Sequence, residues 1–122
     1  MLNRITLLTH NIDEAIKFYT KSFGFKVRND EQVSTTKRFV VLSSGHSAFN
    51  LVTPKPGDED LVGHQSGQRV FGFINSVDLN RDLERFQVNQ VQIIDGPRIE
   101  SFGRCLLVKD LSGNIWEFVE RP

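Results

Sequence analysis

Glu117 is the residue whose surroundings most suggest chemistry. It stands in Ile115-Trp116-Glu117-Phe118-Val119, a carboxylate among four large apolar side chains. Side chains alternate faces along a strand, so Glu117 points away from Trp116 and Phe118. If those two pack on a core, the carboxylate is either a surface group on an open sheet face or part of a site. Cys105 is a second candidate, as a nucleophile, but a thiol needs an activating neighbour and no histidine is placed beside it. The alternative is a buried, inert thiol. His10, His46 and His64 lack the close spacing of a single-helix metal site. His10 follows the first apolar run and could reach the rim of a site, His46 occupies a turn, and all three read otherwise as surface histidines.

The rest of the composition narrows the function classes. The chain has 122 residues, 39% hydrophobic and 25% charged, which suits one soluble globular domain with a normal core. Fifteen basic residues balance fifteen acidic ones, and no basic patch favours nucleic acid. No apolar run is long enough for a membrane span, and the first ten residues show no signal-segment pattern. A single cysteine excludes an internal disulfide and fits a reducing, cytoplasmic setting.

Positioning these residues requires strands. Asp110-Leu111-Ser112-Gly113 is a turn flanked by Cys105–Val108 and Ile115–Val119, which predicts a β-hairpin. Leu2–Thr9 reads as a strand. Ile12–Phe23 has helical apolar spacing, with Asn11 as N-cap, Glu14 completing a capping box and Gly24 as the terminating glycine. Strands follow from Phe25, over Arg38–Ser43 and over Ala48–Thr53, with Asn29–Thr36 a loop or edge strand. Thr53–Arg69 holds two prolines, three glycines and almost nothing to bury, so it reads as a linker (54–69) between modules 1–53 and 70–122. The second module begins with a strand at Val70–Val77. A helix capped by Asp78 carries Leu79, Leu83, Phe86 and Val88. A strand at Val91–Ile94 is broken by Asp95-Gly96-Pro97, and the hairpin closes the chain.

The order is therefore βαβββ, linker, βαβββ. The halves match at an offset of 67: Ile12 with Leu79, Ile16 with Leu83, Val40 with Leu107, Phe49 with Trp116. The first hairpin turn reads as one residue longer. A repeat of this size implies two similar modules.

Asn11–Tyr19 followed by Phe23-Gly24-Phe25, and Asp110–Glu117 near the end, resemble the first-helix and closing-hairpin signatures of the vicinal oxygen chelate superfamily. That superfamily contains glyoxalases, extradiol dioxygenases and bleomycin-type resistance proteins. The resemblance implies an α+β fold of paired βαβββ modules, each with a curled mixed sheet forming a cup and helices outside. It also implies a homodimer. In metal-using members four strand positions supply ligands, and these carry over to Arg4, Asn50, Phe71 and Glu117. Only Glu117 is a good ligand for a divalent ion, since arginine is a permanent cation, phenylalanine cannot coordinate and an asparagine amide is weak. No metal or other cofactor is expected; a divalent metal would mean that the ligand positions are misplaced.

Strand alternation adds Leu107 opposite Glu117 and Cys105 two residues away, and the repeat adds Arg38. The expected ligand-binding lining is Arg4, Arg38, Asn50, Phe71, Cys105, Leu107 and Glu117. Two arginines would favour a ligand with a carboxylate or phosphate. Alternatively, Arg4 and Glu117 neutralise each other, Arg4 taking the place of a metal, with the partner from a second chain. The leading expectation is a metal-free small-molecule-binding protein of glyoxalase and bleomycin-resistance type. The rivals are a lactoylglutathione-lyase-like or other metal-dependent lyase or isomerase, with Glu117 catalytic, and a structural or regulatory dimer without ligand.

Overall fold

A computed structural model describes residues 1–122. The chain divides into two compact units, 1–62 and 63–122, each with one helix and one four-stranded mixed sheet.

The first unit runs β1 (Ile5–Leu8), α1 (Ile12–Ser22), β2 (Lys26–Gln32), β3 (Arg38–Ser43) and β4 (Ala48–Val52), with sheet order β1-β4-β3-β2. Helix α1 begins where expected, because the Asn11 side chain accepts the Glu14 backbone N–H. Gly24 takes a positive φ just past its end. The helix buries Ala15 and Tyr19. Tyr19 stacks on Phe25 (ring centroids 5.7 Å apart), and Phe25 stacks on Phe49 of β4 at 5.6 Å. This file of rings fixes which sheet face meets the helix. Phe49 and Leu51 of β4 pair with Leu42 and Val40 of β3, and all four are buried on that face. The polar stretch after Arg28 is edge strand as far as Gln32.

The second unit runs β5 (Val70–Asn75), α2 (Leu79–Val88), β6 (Ile93–Glu100), β7 (Gly103–Lys109) and β8 (Ile115–Glu120), in order β5-β8-β7-β6. Asp78 caps α2 by accepting the Arg81 N–H, and Glu120 at the end of β8 accepts the Leu79 N–H at 2.7 Å. A carboxylate at a helix N-terminus also complements the helix dipole. Phe86 packs edge-on against Phe118 at 4.8 Å, and Trp116 and Phe118 are each 1% exposed.

The structure corrects three expectations. Asp95-Gly96-Pro97 does not end a strand. β6 continues to Glu100 by bulging there, its register against β7 shifting on both sides of Asp95. The stretch read as linker contains a 3₁₀ turn at Glu59–Leu61, followed by Val62, which is buried. The longer hairpin connection is the second one: Lys109 pairs with Ile115, six positions on, whereas Ser43 pairs with Ala48, five positions on. Asn50 and Glu117 are thus 67 positions apart, but their partners Val41 and Leu107 are 66 apart.

The corrected register reveals a repeated clamp. Arg38 of β3 bonds Asp13 of α1 at 2.8 Å, and Arg104 of β7 bonds Asn80 of α2 at 2.8 Å. Arg38 also grips Asp30 of β2 with two nitrogens, at 2.8 and 2.9 Å. This contact holds the Asp30 carboxyl below its ordinary value of 3.8, chiefly through the Arg38 hydrogen bond. A lowered folded-state pKa contributes stability above the unfolded value, and that contribution is lost as pH falls through the folded value. Both groups are about one-third exposed, so the effect is screened and worth less than about 1 kcal/mol. Arg38→Met should therefore lower the urea midpoint slightly at pH 6, with a smaller difference at pH 2.5. A difference that grows in acid would contradict this contact.

Candidate functional site

The helix-free face of each sheet carries one polar group at its centre. In the second unit, β8 presents Ile115, Glu117 and Val119 on this face, by alternation with the buried Trp116 and Phe118. Glu117 lies between Leu107 of β7 and Phe73 of β5. Its side chain is half-buried, and its carboxylate accepts no hydrogen bond and pairs with no cation. Phe73 is 70% exposed, a large apolar group in solvent beside that carboxylate. Cys105, opposite Val119, is fully buried. Its sulfur accepts from Arg98 Nη2 at 3.5 Å, and Arg98 also pairs with Asp95 at 3.1 Å and Glu100 at 3.6 Å. The Cys105 contact, ahead of the two carboxylates, pushes the Arg98 guanidinium above its usual value.

In the first unit, Asn50 occupies the position equivalent to Glu117. Its register neighbours are Thr6 of β1 and Val41 of β3. Its Oδ1 atom is buried and has no donor. Buried polar atoms are almost always paired, so an orphan acceptor calls for a reason. Phe39 shares this face by alternation with Val40. The Arg4 guanidinium lies over the Phe39 ring, 5.3 Å from its centroid, and bonds Asn3 Oδ1 at 2.8 Å.

The expected lining is thus only partly assembled. Glu117, Leu107 and Cys105 share one face, as alternation required. Arg38 does not join Asn50. It sits on the opposite, helix-facing side with Val40 and Leu51, occupied by Asp13 and Asp30. The offset of 67 fails across the hairpin by one residue, and a one-residue slip turns a strand side chain to the other face. Phe71 is not the neighbour of Glu117 either. It is the extra residue where the β5 register shifts between Val70 and Gly72, and its ring packs edge-on against Trp116 at 5.1 Å. Phe73 takes the place beside Glu117, and Thr6, likewise 67 positions earlier, takes the place beside Asn50. Arg4 precedes β1 and contacts this face through Phe39. His10, His46 and His64 are all exposed. Thr6, Phe39 and Phe73 escaped the sequence reading; the unequal hairpin connections were the signal that could have revealed Phe39.

The donor chemistry does not fit a divalent-metal centre. The four carried-over positions supply one carboxylate, one amide, one guanidinium and one phenyl ring, where such centres use three or more strong donors. No three His, Cys, Asp or Glu side chains form a group that could hold an ion. What the two faces offer is a few polar groups, a carboxylate on one and an amide with a nearby guanidinium on the other, within apolar and aromatic surroundings, a pattern suited to small organic molecules.

Comparison with known proteins agrees with this architecture. A protein of Shewanella frigidimarina is 34% identical over 121 residues, covering 95% of this chain and 90% of its own. TnmS3, an antibiotic binding protein from Streptomyces sp. CB03234, superposes with a TM-score of 0.77 at 18% identity, over 100% of this chain and 97% of that one. UcmS2 superposes with a TM-score of 0.82 at 22% identity, over 98% and 96%. The family model described as Glyoxalase/Bleomycin resistance protein/Dioxygenase superfamily matches residues 1–118. With paired βαβββ units and that match over nearly its whole length, the chain belongs to the Glyoxalase/Bleomycin resistance protein/Dioxygenase superfamily.

Proposed function

We propose that this protein binds a small organic molecule against the helix-free sheet faces without a metal ion, and that it does so as a cytoplasmic homodimer. The observation that carries the reading is what surrounds the two central polar groups: the Glu117 carboxylate lies between Phe73 and Leu107, and the Asn50 amide between Thr6 and Val41, with no second strong metal donor beside either. The antibiotic-binding role in TnmS3's description supports a binding rather than a catalytic use of the same fold. Glu117 serves here as a ligand-facing acceptor.

Metal analysis of protein purified without chelator tests this. The expected result is no stoichiometric nickel, zinc, iron or manganese, and a thermal midpoint unmoved by chelator. One bound equivalent that disappears in Glu117→Gln would overturn the proposal and favour a metal-dependent lyase or isomerase. Sedimentation equilibrium tests the homodimer, and a mass of one chain at micromolar concentration would remove it.

A further inference from the structure

The helix-free face of the second unit carries another unmatched charge besides Glu117. Strands β7 and β8 pair without a break in register, from Arg104 with Glu120 to Lys109 with Ile115. Lys109, two residues beyond Leu107, therefore shares the face of Glu117 and stands diagonally across from it. Diagonal neighbours on one face lie about 7–8 Å apart. Both side chains are half-buried. The Glu117 carboxylate has no donor and no cation, and the Lys109 ammonium has no acceptor and no anion. The other charges of this face are already matched, since Arg98 of β6 holds Asp95 at 3.1 Å and Glu100 at 3.6 Å. Leu107 and Ile115 occupy the opposite diagonal, and the ring of Phe73, 70% exposed, lies on the far side of Glu117.

We infer, on the reading that a small molecule binds the helix-free faces, that this one takes an aromatic zwitterion. Its ammonium group pairs with Glu117, its carboxylate pairs with Lys109, and its ring lies against Phe73. An ammonium–carboxylate contact measures about 2.7–2.9 Å at each end, so two charged groups borne on one carbon bridge a gap of this size. A purely cationic ligand would leave Lys109 unmatched, and a purely anionic one would meet the like charge of Glu117. A direct ion pair between two such partly exposed side chains contributes little, so it competes weakly with a ligand that supplies both counter-charges. Phe73 supplies the apolar surface that a ring needs.

The test is an NMR titration of the full-length protein with L-phenylalanine, phenethylamine, 3-phenylpropanoate and 2-phenylethanol. These probes join one phenyl ring to both charges, to either one, or to none. Phenylalanine should bind about fivefold more tightly than each of the others, the scale of one exposed charge contact. It should shift the resonances of Phe73, Lys109 and Glu117. Glu117→Gln should weaken phenylalanine and phenethylamine but not 3-phenylpropanoate. Lys109→Met should weaken phenylalanine and 3-phenylpropanoate but not phenethylamine. Neither substitution removes a side-chain hydrogen bond or ion pair, and each variant is checked for native chemical-shift dispersion. Any of the other three probes binding as tightly as phenylalanine, or a phenylalanine preference untouched by both substitutions, would overturn the inference while leaving small-molecule binding intact. No shift with any probe would overturn the binding reading itself, and this inference with it.

Discussion

Trp116→Ala is expected to cost about 3–5 kcal/mol of unfolding free energy, the range for truncating a fully buried large aromatic. Trp116 is 1% exposed, and its neighbours cannot readily close over the space it would leave. Phe71 of β5 meets it edge-on at 5.1 Å, and the same strand runs so close that a Cβ on the next residue, Gly72, would stand 2.7 Å from the indole Cζ3. A glycine there is a requirement of the indole, and Gly72→Ala should be destabilising for the same reason. Backbone on the neighbouring strand is held by the ladder with β8, which leaves a cavity rather than a collapse. Urea denaturation of the purified variant gives the number. A loss under about 1 kcal/mol would contradict the packing described here.

Much of the fold was legible in local chemistry. Asn11 and Asp78 each precede an amphipathic segment, and both cap helices through the backbone N–H three positions on. The apolar pairs Ile12 with Leu79 and Phe49 with Trp116 revealed a duplicated unit. The open-face site was less legible, because it depends on which way each strand is turned. Alternation from Trp116 and Phe118 placed Glu117 correctly, since strand and reference residues lie in one uninterrupted run. Arg38 was misplaced because its position was carried through a turn, where one residue more or less inverts the face. Phe71 was misplaced because a bulge inside β5 has the same effect, and nothing in Val70-Phe71-Gly72 announces it except the glycine. The strand beyond Asp95-Gly96-Pro97 was missed because breaker residues also serve bulged edge strands. The Arg38 and Arg104 clamps were invisible, as they join residues 25 and 24 positions apart.

The second large effect belongs to Asp110, whose role only begins as a turn former. It is 6% exposed, and its carboxylate collects five donors. Oδ1 accepts the backbone N–H groups of Ser112 at 3.0 Å, Gly113 at 2.9 Å and Asn114 at 2.9 Å. Oδ2 accepts Asn114 Nδ2 and Trp116 Nε1, both at 2.9 Å. These amide and indole dipoles help offset the desolvation of a buried carboxylate. The arrangement closes the hairpin connection and anchors the indole of the largest core residue in one step. Asp110→Ala would strand the Asn114 amide and the indole N–H in a buried place, besides freeing the turn. A loss of about 3–5 kcal/mol is expected, comparable to breaking one partner of a buried charged network. Asp110→Asn should cost less, because an amide oxygen can keep the three backbone donors while its NH₂ group opposes the indole N–H. A cycle combining Asp110→Ala with Trp116→Phe isolates the indole contact, since phenylalanine keeps a ring and lacks the donor. Coupling of about 1–3 kcal/mol is expected for groups in direct contact. Asp110→Ala within about 1 kcal/mol of the parent protein, or coupling indistinguishable from zero, would mean that the carboxylate does not hold the indole in solution.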